Sequence, residues 1–344
     1  MGSQTGVTRS GVTRRPTIVD VGELAGVSRQ TVSRVLADHP RVAEETRRRV
    51  EDAIAELGFR PNRMARALVT KTSLTFGIAS VDMRNLHFAE TCSGMQAVAR
   101  ERGYHLVVTE LDLADDGGIG TLETLLTLGV DGIVIFPNIV DDTALEAFAE
   151  RCGCPVVMIG RAKRIPGVVS IALDEDGAAA IIVDHLLATG KRHVGLLMNE
   201  MLPRIPHERY MALRQAIETA LGEDTPPTEA NKPTIEDSKA AATRLIAAHS
   251  DVDAIVAFND TVAMGALAAC RRLGLRVPRD ISVVGYDGIP YGAVTVPPLT
   301  TMLQDSFGMA GAAIRALLDC ARNGSPPSGE VQLWKPELLK RGTT

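Results

Sequence analysis

Three observations predict an α/β protein in which an N-terminal helix-turn-helix head precedes a larger, two-lobed body of doubly wound parallel sheets. Residues 17–57 read as three short helices around a glycine turn. From Ser73 onward, short β-branched apolar runs alternate with amphipathic helices, the pattern of parallel strands joined by crossovers. Charge is split between the two parts. Residues 1–72 carry 13 Lys+Arg against 8 Asp+Glu, whereas the remainder carries 24 against 34. A positive head attracts phosphates and an acidic body is repelled by them, so only one end of the chain is expected to meet nucleic acid.

Within the head, Thr17 is the expected N-cap of a helix from about Ile18 to Ala25, with Asp20 at its positive end. Gly26 ends that helix. Ser28 caps a second one running through about Leu36, whose apolar face is Val32, Val35 and Leu36. Arg29, Gln30, Ser33 and Arg34 are left outside. Taken alone, such a face is an ordinary solvated surface. On a basic head after a tight turn, it fits a helix lying in the major groove. There arginine forks onto guanine O6 and N7, and glutamine onto adenine N6 and N7. A third helix is expected from roughly Ala43 to Leu57, with Val50, Ile54 and Leu57 buried, Arg47, Arg48 and Arg49 mostly exposed, and Gly58 as its stop. Pro61 then opens a segment, residues 62–68, too short to persist as a free helix. Duplex DNA and a second copy of the chain are the expected supports.

The run VDVGELAGVSRQTVSRVL, followed by V-x-x-x-T-R and RPNRMARAL, resembles the N-terminal signature of the lac-repressor (LacI/GalR) family over about 50 contiguous residues. That resemblance implies a homodimer reading a pseudo-palindromic operator in double-stranded DNA. It implies DNA contacts from Thr17, Ser28, Arg29, Gln30, Thr31, Ser33 and Arg34, with Arg29, Gln30 and Arg34 at the base-reading positions. It further implies a hinge helix in which Asn62, Ala65 and Arg66 flank Leu68, the leucine that wedges into the central minor groove. Gly22 departs from the pattern, which usually has alanine there. It should keep the first two helices close while weakening the first by about 1 kcal/mol.

In the body, strands are expected at 74–80, 105–111, 131–137, 155–160, 169–174, 193–199, 253–259 and 280–287. Helices are expected at about 87–102, 119–128, 143–152, 175–189, 207–221, 236–248 and 261–273. This many strands suggests two doubly wound lobes, with a pocket beyond the carboxyl ends of the strands. The segments DAIVAFNDTVAMGAL, RVPRDISVVGYD, PPLTTMLQD and ELLKRGTT extend the family resemblance, to a body similar to periplasmic sugar-binding proteins but without their export signal. The resemblance implies effector contacts from Arg209, Asn259 and Asp287, and Phe136 and Arg161 occupy strand ends that would line the same pocket. Each residue also has a plainer reading: Arg209 as an exposed helix charge, Asn259 or Asp260 as an N-cap, Asp287-Gly288 as a turn. Asp260 is assigned the cap.

A sugar or polyol is the first expectation for the small-molecule effector, since Asn, Asp and Arg suit hydroxyl recognition. Aromatics make up only 3% of the chain and offer few platforms for a sugar ring. A purine, a nucleoside or an organic acid paired with Arg161 or Arg209 is the alternative. The implied organisation is a disordered basic arm (1–16), a DNA-binding domain (17–60), a hinge helix and linker (61–72) and an effector-binding and dimerisation domain (73–344). Its lobes are expected at about 73–173 plus 305–326, and about 174–304 plus 327–344.

Several classes are disfavoured. No apolar run reaches the 18 residues of a membrane span, and the basic N-terminus has no apolar signal region, so a cytoplasmic protein is expected. Five scattered cysteines, Cys152 and Cys154 among them, lack the second pair or histidine of a zinc site and read as reduced thiols. No metal or cofactor is expected. No phosphate loop, HExxH, GxSxG or dinucleotide fingerprint occurs, which disfavours an α/β enzyme carrying a DNA-binding head. The head argues against a pure solute-binding protein. No heptad helix precedes Thr344, so a dimer is the expected assembly.

Overall fold

The computed structural model describes residues 16–36, 39–59, 72–114, 117–136, 140–200, 208–222, 225–323 and 329–344. The chain divides into two compact units, Met1–Ser73 and Leu74–Thr344. Asn62, Ala65, Arg66 and Leu68 lie outside the described residues, as does nearly all of the expected basic arm.

The first unit is a three-helix head: α1 (Ile18–Ala25), α2 (Arg29–Leu36) and α3 (Glu44–Leu57). Local chemistry sets each boundary. Thr17 forms a capping box with Asp20, whose carboxylate accepts from the Thr17 amide at 2.6 Å. Gly26 takes φ 65 and closes α1. Ser28 Oγ accepts from the Thr31 amide at 3.1 Å and starts α2. Val21, Ala25, Val32, Val35, Val50, Ala53 and Phe59 form the buried centre. On α3 it is Val50 and Ala53 that are fully buried, while Ile54 and Leu57 pack at the margin. At Gly22 a Cβ would stand 2.9 Å from the Val27 carbonyl oxygen. Alanine there would have to push backbone aside, so this glycine is required by the close approach of the turn.

The second unit holds two six-stranded sheets. The first has the order β11-β5-β4-β3-β1-β2 and is wholly parallel. Its strands are β1 (Thr75–Ser80), β2 (His105–Glu110), β3 (Ile133–Phe136), β4 (Val156–Ile159), β5 (Val168–Leu173) and β11 (Val331–Trp334). The second has the order β12-β10-β9-β8-β6-β7, antiparallel only between β10 and β12. It comprises β6 (Val194–Asn199), β7 (Thr228–Asn231), β8 (Ala254–Ala257), β9 (Ser282–Asp287), β10 (Thr300–Leu303) and β12 (Glu337–Leu339). Central strands such as IVIF and SVVGYD are buried at every position, as strands covered on both faces must be.

Helices sandwich each sheet. On the first, α4 (Leu86–Glu101) and α11 (Ser306–Asn323) cover one face, and α5 (Ile119–Thr127) and α6 (Asp142–Arg151) the other. On the second, α7 (Glu175–Ala188) and α8 (Glu208–Leu221) lie opposite α9 (Ile235–Ala248) and α10 (Asp260–Arg272). The chain passes between the sheets three times: after β5, after β10 and between β11 and β12. The last passage falls at residues 335–336, whereas the sequence placed that boundary at 326/327. Trp334, beside it, packs against the cores of both sheets. No helix among the described residues is long and apolar enough to cross a membrane.

Candidate functional site

The site in the body is built where the passages between the sheets meet the carboxyl ends of the strands. Its centre is Arg209, in the first turn of α8. The side chain is buried, against the plainer expectation of an exposed charge. Its Nη2 pairs with Glu175 Oε1 at 3.2 Å, Nη1 donates to the Phe258 carbonyl at 2.7 Å, and Asp287 Oδ1 lies 3.8 Å from Nη1. The guanidinium sits 3.5 Å above the Tyr286 ring centroid, a cation–π contact made stronger by burial. Tyr286 in turn donates its hydroxyl to Glu175 Oε2 at 2.5 Å. Burial acts to lower the Arg209 guanidinium, but Glu175, Tyr286 and Asp287 outweigh it, and its affinity for the proton rises.

Asp287 ends β9 at φ 104, a conformation rarely adopted by residues other than glycine and costing on the order of 1–3 kcal/mol. The surroundings hold it there. Gln304 Nε2 donates to Asp287 Oδ1 at 2.7 Å, the Ile289 amide donates to Asp260 Oδ2 at 2.8 Å, and Thr301 Oγ1 donates to Asp260 Oδ1 at 2.5 Å. Asp260 is fully buried behind this turn. Gly285 makes room for it, since a Cβ there would come within 2.2 Å of Asp260 Oδ1. Burial, reinforced by Asp287, pushes the Asp260 carboxyl up to about 7.

The assignment of the cap is corrected. Asn259, not Asp260, caps α10: it has extended backbone, and its Oδ1 accepts from the Val262 amide at 2.9 Å. Asp260 is the first helical residue, with both oxygens engaged by Thr301 and Ile289. The cap uses one acceptor position of Asn259 Oδ1 and makes no use of its amide nitrogen.

The remaining two positions join the same cluster indirectly. Arg161 follows β4 and pairs with Asp142 at 2.8 Å and with Glu208 at 3.9 Å. Glu208 also accepts from the Ala162 amide at 2.8 Å, so the residue next to Arg209 ties one sheet's loop to the other sheet's helix. Phe136, at the end of β3, is buried with its ring 5.5 Å from His87. His87 hydrogen-bonds Ser306 through Nδ1 at 3.0 Å, and Ser306 sits two residues from Gln304. Burial lowers the His87 imidazole, which favours its neutral form. A cavity of about 470 Å³ opens beside the cluster, lined in part by Glu90, Asp287, Gln304, Ser306, Trp334 and Lys335. The structure thus brings Arg209 and Asp287 together and places Asn259 next to Phe258, while Arg161 and Phe136 connect through Glu208 and His87. Sequence reasoning missed Glu175, Tyr286, Gln304 and His87. Glu175 opens α7, where an acidic residue is favoured by the helix dipole alone and so carries no signal of a site.

On the head, Arg29, Gln30, Ser33 and Arg34 are exposed along α2, Thr31 is half-buried, and Ser28 is exposed at its start. Thr17 has a structural task in the capping box. Arg49 reaches across to the Ala25 and Gly26 carbonyls and so neutralises the negative end of α1.

Residues 17–62 match the family described as bacterial regulatory proteins, lacI family, and residues 183–344 match a periplasmic binding protein-like domain. A helix-turn-helix-type transcriptional regulator of Streptomyces lividans, reg1, is 31% identical, over 95% of this chain and 96% of its own. The ribose operon repressor of Halalkalibacterium halodurans is 30% identical, over 88% and 89%. Among solved structures, a lac repressor dimer bound to operator and an anti-inducer superposes with TM-score 0.85 at 29% identity, covering 96% of this chain and 99% of that one. A CelR–cellobiose complex superposes with TM-score 0.68 at 27% identity, covering 96% and 100%. These relatives are transcriptional regulators, not enzymes. With a matching head, a matching body and relatives of the same length, this chain belongs to the lacI family of bacterial regulatory proteins.

Proposed function

We propose that this protein is a ligand-controlled repressor that acts as a cytoplasmic homodimer on a pseudo-palindromic operator, by binding and without turnover. Residues 17–60 read DNA, 61–72 form the hinge, and 73–344 bind the effector and dimerise. The single observation that carries this reading is the exposed polar face Arg29, Gln30, Ser33 and Arg34 on α2, whose Val32 and Val35 are turned into the buried centre of the head. The lac repressor neighbour, a dimer on its operator, supports the same assembly. In a selection for duplex sequences bound by the full chain, Arg29→Ala and Gln30→Ala are each expected to relax preference at one base position per half-site. The expected loss is about 1–3 kcal/mol of discrimination. Equal weakening on every sequence would instead assign these residues to phosphates.

The effector is a neutral, polyhydroxylated molecule rather than an organic acid. Both arginines that an anion would need already face carboxylates, Arg209 those of Glu175 and Asp287, Arg161 those of Asp142 and Glu208, although Arg161 Nε itself makes no hydrogen bond among the described residues. A carboxylate ligand would have to compete with these carboxylates for the same cations. The CelR neighbour's cellobiose is of the neutral kind. A thermal-shift panel of neutral sugars, uronic acids and nucleosides checks this, with stabilisation of about 2.7 kcal/mol expected at 100 times the Kd. Asp287→Asn is expected to abolish the shift given by the sugar that stabilises the wild type. A shift from uronic acids alone would refute the neutral class.

A further inference from the structure

We propose that Cys152 and Cys154 form a vicinal dithiol that hydroperoxides convert reversibly into an intrachain disulfide. The reading of the DNA-binding head and of the effector site does not use these residues. Cys152 caps the C-terminus of α6, and Cys154 leads through Pro155 into β4. Between them Gly153 takes φ 70 and bends the chain. The Cα atoms of residues two apart are separated by at most about 7 Å in an extended chain, and a bend shortens this into the range a disulfide spans. The Cys152 thiol donates to the Cys154 carbonyl oxygen at 3.1 Å, so its sulfur is turned toward Cys154. Both are half-exposed, whereas Cys270 is buried.

The pair divides its roles. The neighbouring Cys154 thiol, with help from nearby amides and Arg151 and against the cost of burial, lowers the Cys152 thiol below its usual range. Cys154 is pushed up and keeps its proton. Burial raises Cys92, Cys270 and Cys320, leaving them less nucleophilic. The Cys152 thiolate attacks the terminal oxygen of the peroxide, breaking the O–O bond, and the departing oxygen takes a proton to leave as water or alcohol. The resulting sulfenic acid is attacked by the Cys154 sulfur. An S–S bond forms, the S–O bond breaks, and the hydroxyl leaves with the Cys154 proton as water. Two thiols lose two electrons and one peroxide gains them. The small ring closed by Cys-Gly-Cys is strained, which makes such a disulfide readily reducible by cellular thiols.

The test uses the full chain, fully reduced and then treated with hydrogen peroxide, with peptide mapping by mass spectrometry. The peptide containing residues 152–154 is expected to lose two hydrogens and to regain them with dithiothreitol. Cys154→Ser should stop at a sulfenic acid on Cys152 that dimedone traps, and Cys152→Ser should consume peroxide at least about tenfold more slowly. The proposal is overturned if the wild-type peptide gains oxygen without losing hydrogen, or does not react. A disulfide that involves Cys92, Cys270 or Cys320, or wild-type peroxide consumption by Cys152→Ser, also overturns it.

Discussion

Arg209→Met is expected to cost the body about 3–5 kcal/mol of stability, because it removes one partner of a buried ion cluster and leaves the others unmatched. Glu175 and Asp287 would then face each other's surroundings without a cation, and the Phe258 carbonyl would lose its donor. The Tyr286 ring would lose the guanidinium stacked on it. Methionine keeps most of the side-chain volume, so the loss reports charge rather than a cavity. Denaturant unfolding of the full chain measures it, with Glu175→Gln in the same background as the control. The double variant should recover part of the loss, because it removes one of the stranded carboxylates. A loss under about 1 kcal/mol would show that solvent screens the cluster, as it screens surface pairs.

Asp260→Asn is expected to change the pH dependence of stability more than any surface substitution. The folded-state carboxyl titrates at about 7, above the usual carboxylate range of an unfolded chain. Between those two values the native state holds a proton that the unfolded state has released, so stability falls as pH rises and levels off above the folded value. The effect is on the order of a few kcal/mol across that window. Asparagine offers the same shape with no proton to lose. The gap between wild type and Asp260→Asn should therefore favour the variant increasingly from about pH 4 to pH 7. Parallel stability curves for the two proteins over that range would show that Asp260 stays ionised in the fold.

The head was legible because its determinants are local. Thr17 with Asp20, Gly26 and Ser28 act within one helical turn of themselves, and the period of Val32, Val35 and Leu36 names the buried face. The central strands were equally clear, being continuous apolar runs. The strands that escaped are β7, whose TEAN is a polar edge segment, together with β10, β11 and β12, which are three or four residues long. Helix α11 is equally hard to read: SFGMAGAAIRALLDCARN opens with small residues and glycines that blur its apolar stripe. The site was half legible. The family pattern pointed to Arg209, Asn259 and Asp287, but Arg209 is defined by Glu175, Phe258 and Tyr286, residues far away in sequence. No local pattern announces that Tyr286 will lie beneath a guanidinium. The choice between Asn259 and Asp260 turned on Gly285, whose missing side chain leaves room for the Asp260 carboxylate.

The Glu208 carboxylate, which accepts from the Ala162 amide and faces Arg161, ties a loop of the first sheet to a helix of the second. A motion that drew these two elements apart would have to break this clasp, and it sits on the same helical turn that carries Arg209. Each 1.4 kcal/mol it contributes shifts the ratio of closed to open molecules about tenfold. A small molecule that grips Arg209 equally well in both forms leaves that ratio where the clasp put it, however tightly it binds. If the body works by such a transition, as the proposed function implies, only a ligand that gains or loses contacts as Glu208 lets go can drive it, and the clasp would set the resting ratio.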